Sequence, residues 1–83
     1  MNIRYFAWVR ERVGLEEETL EVPAGVETVA DLIAHLKTLD DNHAAAFEEE
    51  EAIRVALDQM HVEGDAVLAG AREIAFFPPM TGG

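Results

Sequence analysis

Apolar and polar positions alternate with a period of two through residues 2–8, "NIRYFAW". This sets Ile3, Tyr5 and Ala7 on one side and Arg4, Phe6 and Trp8 on the other. Such alternation predicts a first strand with aromatic groups on both of its faces. Residues 10–14 read as a short turn closed by Gly14. "EEETLEV" (16–22) follows, with Thr19 and Val22 out of phase with Leu20, and predicts a second strand paired with the first as a hairpin. Pro23, Ala24 and Gly25 end it. At Thr28 the period lengthens: Val29, Leu32, Ile33 and Leu36 make an apolar helical stripe, and Thr28 followed three residues later by Asp31 resembles a capping box. Asp40, Asp41 and Asn42 stop that helix, and "HAAAFEEEE" (43–51) predicts a further helical turn or two anchored by Phe47.

The two-residue period then returns. In "AIRVALD" (52–58) Ile53, Val55 and Leu57 point inward against Arg54, Ala56 and Asp58, which predicts a third strand. Gly64, Asp65 and Gly70 mark turns around a short, weak strand at "AVLA" (66–69). "REIAFF" (72–77) is the last strand, with Ile74 and Phe76 on one face and Ala75 and Phe77 on the other. The order predicts an α+β chain of β-grasp type: a mixed sheet, one main helix packed across it, and first and last strands paired in its centre. Residues 1–77 form the domain, and residues 78–83 an extended C-terminal tail.

A chain of 83 residues has room for one small domain and no deep cleft, and a hydrophobic fraction of 49% is enough for it to fold. No apolar stretch approaches the roughly 20 residues of a membrane span, and the charged start lacks a signal peptide's apolar core, so a cytoplasmic protein is expected. With 17 acidic and 6 basic residues, the formal charge of −11 argues against a nucleic-acid partner and favours a basic protein partner or simple solubility. Cysteine and serine are both absent, which removes disulfides, thiolate metal sites and the common hydrolase nucleophiles.

Little chemistry is evident in the body of the domain. His35, His43 and His61 are scattered outside any metal-ligand spacing, and His35, one turn after Asp31, reads as a solvent-side pair. The four glutamates at 48–51 point about 100° apart on a helix and read as a solvated face, so no metal site is expected. The tail differs. Pro78 and Pro79 remove two backbone donors and fix φ at both, so the chain must leave the sheet as a stiff segment. At about 3.3 Å per extended residue, residues 78–83 reach roughly 20 Å, enough to enter a partner's active site. Gly82 and Gly83 carry no side chain to obstruct a narrow channel, and they leave the terminal carboxyl carbon open to attack. Phe6, Trp8 and Phe77, opposite the inferred core residues, would form an aromatic docking patch at the root of this tail.

These residues carry a family resemblance. "FAWVRERVG" (6–14) resembles the F-A-x-x-R-E-x-x-G pattern of the small, sulfur-carrying subunits of molybdopterin synthase, and "FFPPMTGG" (76–83) is similar to the ending of those subunits. The resemblance implies a ubiquitin-like β-grasp fold and a non-catalytic, sulfur-donating subunit of a two-subunit enzyme. It implies that Gly83 is adenylated with ATP by a separate activating enzyme and converted to a thiocarboxylate. No cofactor would be bound by the carrier itself. Pro78, Pro79, Met80, Thr81 and Gly82 would form the inserted tail, and Phe6, Trp8, His61 and Phe77 the surface that meets the large subunit. The implied assembly is a heterotetramer of two small and two large subunits, serving dithiolene formation in molybdenum cofactor biosynthesis. Departures lie at Ala71 and Arg72, where the family often has Asp and Glu after the glycine, and at Asp58, where asparagine is common. A sulfur carrier for thiazole (thiamine) synthesis, a ubiquitin-like protein modifier and a β-grasp adaptor with an inert tail are the alternatives.

Overall fold

The computed structural model describes residues 1–79. Its elements are β1 (Asn2–Tyr5), α1 (Ala7–Val13), β2 (Glu17–Thr19), α2 (Val29–Leu36), α3 (Asp41–Ala46), a 3-10 turn (Glu50–Ala52), β3 (Arg54–Leu57), β4 (Met60–Val62) and β5 (Glu73–Phe77). Five strands form one mixed sheet in the order β2-β1-β5-β3-β4. The first and last strands do pair in its centre, and they run parallel, Ile3 level with Ile74 and Tyr5 with Phe76. β2 flanks β1 and β3 flanks β5, both antiparallel.

Alternation along the strands decides the two faces. Ile3, Tyr5, Val55, Leu57, Ile74 and Phe76 turn inward and join Val29, Leu32, Ile33 and Leu36 of α2 in a single core, with Phe47 fully buried beside them. At α2 the capping box forms as the sequence implies: the Asp31 N–H donates to the Thr28 hydroxyl at 3.2 Å, and the Thr28 N–H donates to the Asp31 carboxylate at 3.2 Å. Asp31 also accepts from the Glu27 N–H. These backbone bonds, that from Glu27 foremost, hold its carboxyl below the ordinary aspartate value. The carboxylate therefore caps its own helix rather than pairing with His35.

Two expected elements are corrected. β1 ends at Tyr5, so Ala7 and Trp8 are not strand residues, and Ala7 is exposed rather than inward. The Phe6 N–H still donates to the Phe76 carbonyl, but Ala7 then adopts φ 52° and swings the chain directly into α1. That helix is favoured by burying Val9 and Val13, one turn apart, and Gly14 closes it with φ 87° and an N–H bonded to the Arg10 carbonyl. The other correction concerns "AVLA": it is loop, with one isolated bridge from Val67 to Thr28, and the fourth strand is instead Met60–Val62. Asp58 and Gln59 both take positive φ, 46° and 71°, and so make a tight two-residue hairpin turn without glycine. The Asp58 carboxylate accepts the Arg72 and Glu73 N–H groups at 3.0 Å each, which fixes the turn.

Candidate functional site

The outer face of the sheet carries no helix among the described residues, and the strand registers order its side chains into rows. Glu17, Arg4, Ala75, Ala56 and His61 lie level with one another across all five strands. One step towards the end of β5, Phe77 lies level with Arg54. Phe6 follows Tyr5 just beyond the end of β1, its N–H bonded to the Phe76 carbonyl, and at 37% exposed it is the one aromatic among the exposed large apolar residues. Two alanines in the centre keep the face low, with larger groups around them.

The aromatic groups are ordered by their neighbours. The His61 imidazole stacks on the Phe77 ring, centroids 5.4 Å apart and planes within 3°, reaching across β3 where Ala56 offers only a methyl group. The Arg4 guanidinium lies over the Phe6 ring at 5.2 Å. Contacts along the face thus leave Phe6 exposed and Phe77 half-buried, neither of them in the core. Trp8 does not share this surface as a strand residue would. It sits half-buried on α1, packed against the core, with the Arg12 guanidinium 4.4 Å from its ring.

β5 leaves the sheet at Phe77, and Pro78 and Pro79 continue from the rim of this face, Pro78 half-buried and Pro79 exposed. Neither proline can donate to a neighbouring strand, so pairing must end there. The expected tail residues Met80, Thr81, Gly82 and Gly83 lie outside the described residues.

A second polar cluster, unanticipated in the sequence, supports the face from behind. His43 is 4% exposed, with Nε2 2.7 Å from the Glu18 carboxylate and Nδ1 2.7 Å from that of Asp40. The Tyr5 hydroxyl donates to the same Glu18 oxygen at 2.7 Å. Ionised carboxylates only accept, so with Glu18 and Asp40 both ionised the two contacts of His43 are satisfied together only by the doubly protonated ring, an imidazolium. Burial works against that charge, but the bonds to Glu18 and Asp40 outweigh it and hold the histidine above its ordinary pKa. Burial, followed by the Glu18 bond, keeps the Tyr5 phenol protonated far above its usual range. Asp40 is held low, first by the His43 N–H that it caps and then by the ring. The cluster joins β1, β2 and α3 immediately before Phe6. The signal was present in Asp40 and His43, three residues apart at a helix start, but Glu18 lies 25 residues from its histidine.

The chain matches the model of the ThiS family over residues 3–83. It belongs to that family. A relative from Escherichia coli named molybdopterin synthase sulfur carrier subunit is 39% identical over 83 residues, spanning 100% of this chain and 99% of the relative. A solved structure described as a molybdopterin converting factor, subunit 1, from Pyrococcus furiosus superposes with a TM-score of 0.74 at 30% identity, covering 95% of each chain. A small archaeal modifier protein 1 of Haloferax volcanii shares the fold, with a TM-score of 0.71 at 24% identity over 96% of this chain and 97% of that one. The ThiS-family chain thus has the α+β, β-grasp layout read from its element order and the ubiquitin-like fold that the resemblance implies. Of the expected interface residues, the structure brings Phe6, His61 and Phe77 onto one face and moves Trp8 to a neighbouring helix. Among the described residues, no group of three His, Asp or Glu side chains converges as metal ligands, and no helix is long and apolar enough to cross a membrane.

Proposed function

We propose that this chain is the sulfur carrier subunit of a molybdopterin synthase and presents sulfur as a thiocarboxylate on Gly83. The reading rests on full-length likeness to a relative of that name. The observation that carries it to particular residues is the exit of β5 through Pro78 and Pro79 at the rim of an open face bearing Phe6, Phe77 and His61. A domain seated by that face on a partner would send its last residues into the partner while the core stays outside.

The chemistry follows from the carboxyl group. A carboxylate is a poor acyl donor until its oxygen becomes a leaving group, and adenylation with ATP by a separate activating enzyme, which releases pyrophosphate, supplies one. Attack of sulfide-level sulfur on the carbonyl carbon then forms the C–S bond, breaks the bond to AMP and leaves the thiocarboxylate. The chain contributes no catalytic side chain to this sequence; it supplies a stiff stalk and a docking surface. The large synthase subunit would supply the dithiolene-forming site, in an assembly of two small and two large subunits. ATP-dependent activation makes the cytoplasm the place of action. Without cysteine in the chain, the terminal carboxyl is the natural place for transported sulfur.

The test is reconstitution with the large subunit and the activating enzyme. Deleting Gly82 and Gly83 should leave the melting temperature unchanged and abolish dithiolene formation. A truncated carrier that still supports the product would overturn the reading.

A further inference from the structure

The outer face holds one cation whose bonding is incomplete. Arg4 Nε is buried yet has no hydrogen-bond partner among the described residues. The nearest carboxylate is that of Glu17, at 3.8 Å from this nitrogen, too long for a hydrogen bond. The guanidinium lies over the Phe6 ring, and although Nε itself is covered the side chain as a whole remains 40% exposed, so it is the rest of the group, beyond Nε, that a partner can reach. The other cation of the face, Arg54, already donates to the Glu51 carbonyl at 3.2 Å.

We infer that Arg4 is the specificity-determining residue of the docking face and receives a carboxylate from the partner protein. This rests on the reading that the face seats the large synthase subunit. Net charge alone points the other way, since a formal −11 suggests a basic partner. The local arrangement reverses that expectation where contact occurs. Two of the chain's six basic residues, Arg4 and Arg54, stand on this face around the two alanines, beside Phe6 and Phe77. An apolar partner patch edged by an aspartate or glutamate complements that surface, whereas a lysine or arginine opposite Arg4 would be repelled. Docking also excludes water and so strengthens a planar, two-pronged arginine–carboxylate pair. Phe6, lying under the guanidinium, would be covered by the same event, so the ion pair and the aromatic contact form together.

The experiment titrates the purified large subunit from the same organism with the intact carrier at low and moderate salt. Arg4→Met, which keeps the stem and removes the charge, should weaken binding about tenfold or more and flatten its salt dependence. Its melting temperature should be unchanged or raised, because an unpaired buried donor is gone. Arg4→Glu should weaken binding about a hundredfold, and reversing one carboxylate of the large subunit to lysine should restore it. Wild-type affinity and salt dependence in Arg4→Met, together with weakened binding by Phe77→Ala, would overturn the role of Arg4 alone. Wild-type affinity in Phe77→Ala and Arg4→Glu alike would remove the docking face itself. A loss of stability in Arg4→Met matching its loss of affinity would make the residue structural and also overturn the inference.

Discussion

Replacing His43 with alanine should weaken the domain by about 3 kcal/mol at pH 6, and the loss should shrink as pH rises. The largest part is the bond from the imidazolium to Glu18, 2.7 Å long and largely shielded; hydrogen bonds to charged groups contribute about 1.5–3 kcal/mol. The edge-on contact of the ring with Tyr5, centroids 6.2 Å apart, adds about 0.5 kcal/mol or more. For a domain of this size each kcal/mol moves the melting temperature by about 4–8 °C, so a fall of roughly 12–24 °C is expected. The pH dependence follows from the raised histidine value. The folded state holds the proton more tightly than the unfolded chain, so the contribution is fully present below the unfolded value of about 6.5 and is lost as pH rises through the folded value. Asp40, whose value is lowered, acts in the opposite sense: its contribution is present above about pH 4 and lost as pH falls through its folded value. Thermal melts of wild type and His43→Ala at half-unit steps from pH 5 to 9 measure the difference and cancel whatever the two proteins have in common. Tyr5→Phe removes one partner of Glu18 but keeps the imidazolium, and should retain the pH dependence. A wild-type minus His43→Ala difference that is flat or grows with pH would refute the charged bridge.

Two further outcomes follow from the fold and the face. Phe77→Ala should reduce affinity for the large subunit about thirtyfold while changing the melting temperature little, because Phe77 stacks on exposed His61 outside the core; a calorimetric titration set beside a melt separates the two effects. Gln59→Gly should raise stability by about 0.5 kcal/mol, because it relieves a side chain held at φ 71° and the cost avoided exceeds glycine's added freedom; chemical denaturation would register a higher midpoint with an unchanged slope.

Where sequence and structure agree, the reason is local or strictly periodic. The stripe of Val29, Leu32, Ile33 and Leu36 and the Thr28–Asp31 box depend on neighbours within two turns, and both form as read. The alternation of Ile74 and Phe76 with Ala75 and Phe77 likewise separates core from open face. Residues 6–9 were ambiguous because Phe6, Trp8 and Val9 fit either period. Packing resolved them: Val9 and Val13 can both reach the core only from a helix, at the cost of a left-handed Ala7. Gly14 as a helix stop was the overlooked signal. The hairpin at Asp58 and Gln59 was hidden for a different reason, since its turn lacks glycine and is fixed by backbone donors of residues 72 and 73. The same holds for His43, whose carboxylate partner on β2 is set by topology rather than by spacing. Alternation points to Phe6 and Phe77 and family resemblance adds His61; the registers, with the Phe6 N–H bonded to the Phe76 carbonyl, explain how they come to one surface. Arg4 could be placed on that face by alternation, but its lack of a hydrogen-bond partner emerges only in three dimensions.

The central claim is that Gly83 carries the sulfur, and intact-mass analysis tests it most directly. The purified chain would be incubated with the activating enzyme, ATP and a sulfur donor, then digested to release its C-terminal peptide. The account predicts a gain equal to replacement of one oxygen by sulfur, located on Gly83, dependent on ATP and absent when Gly82 and Gly83 are deleted. A sulfur adduct on any other residue, or an unmodified Gly83 after incubation with all three components, would contradict it.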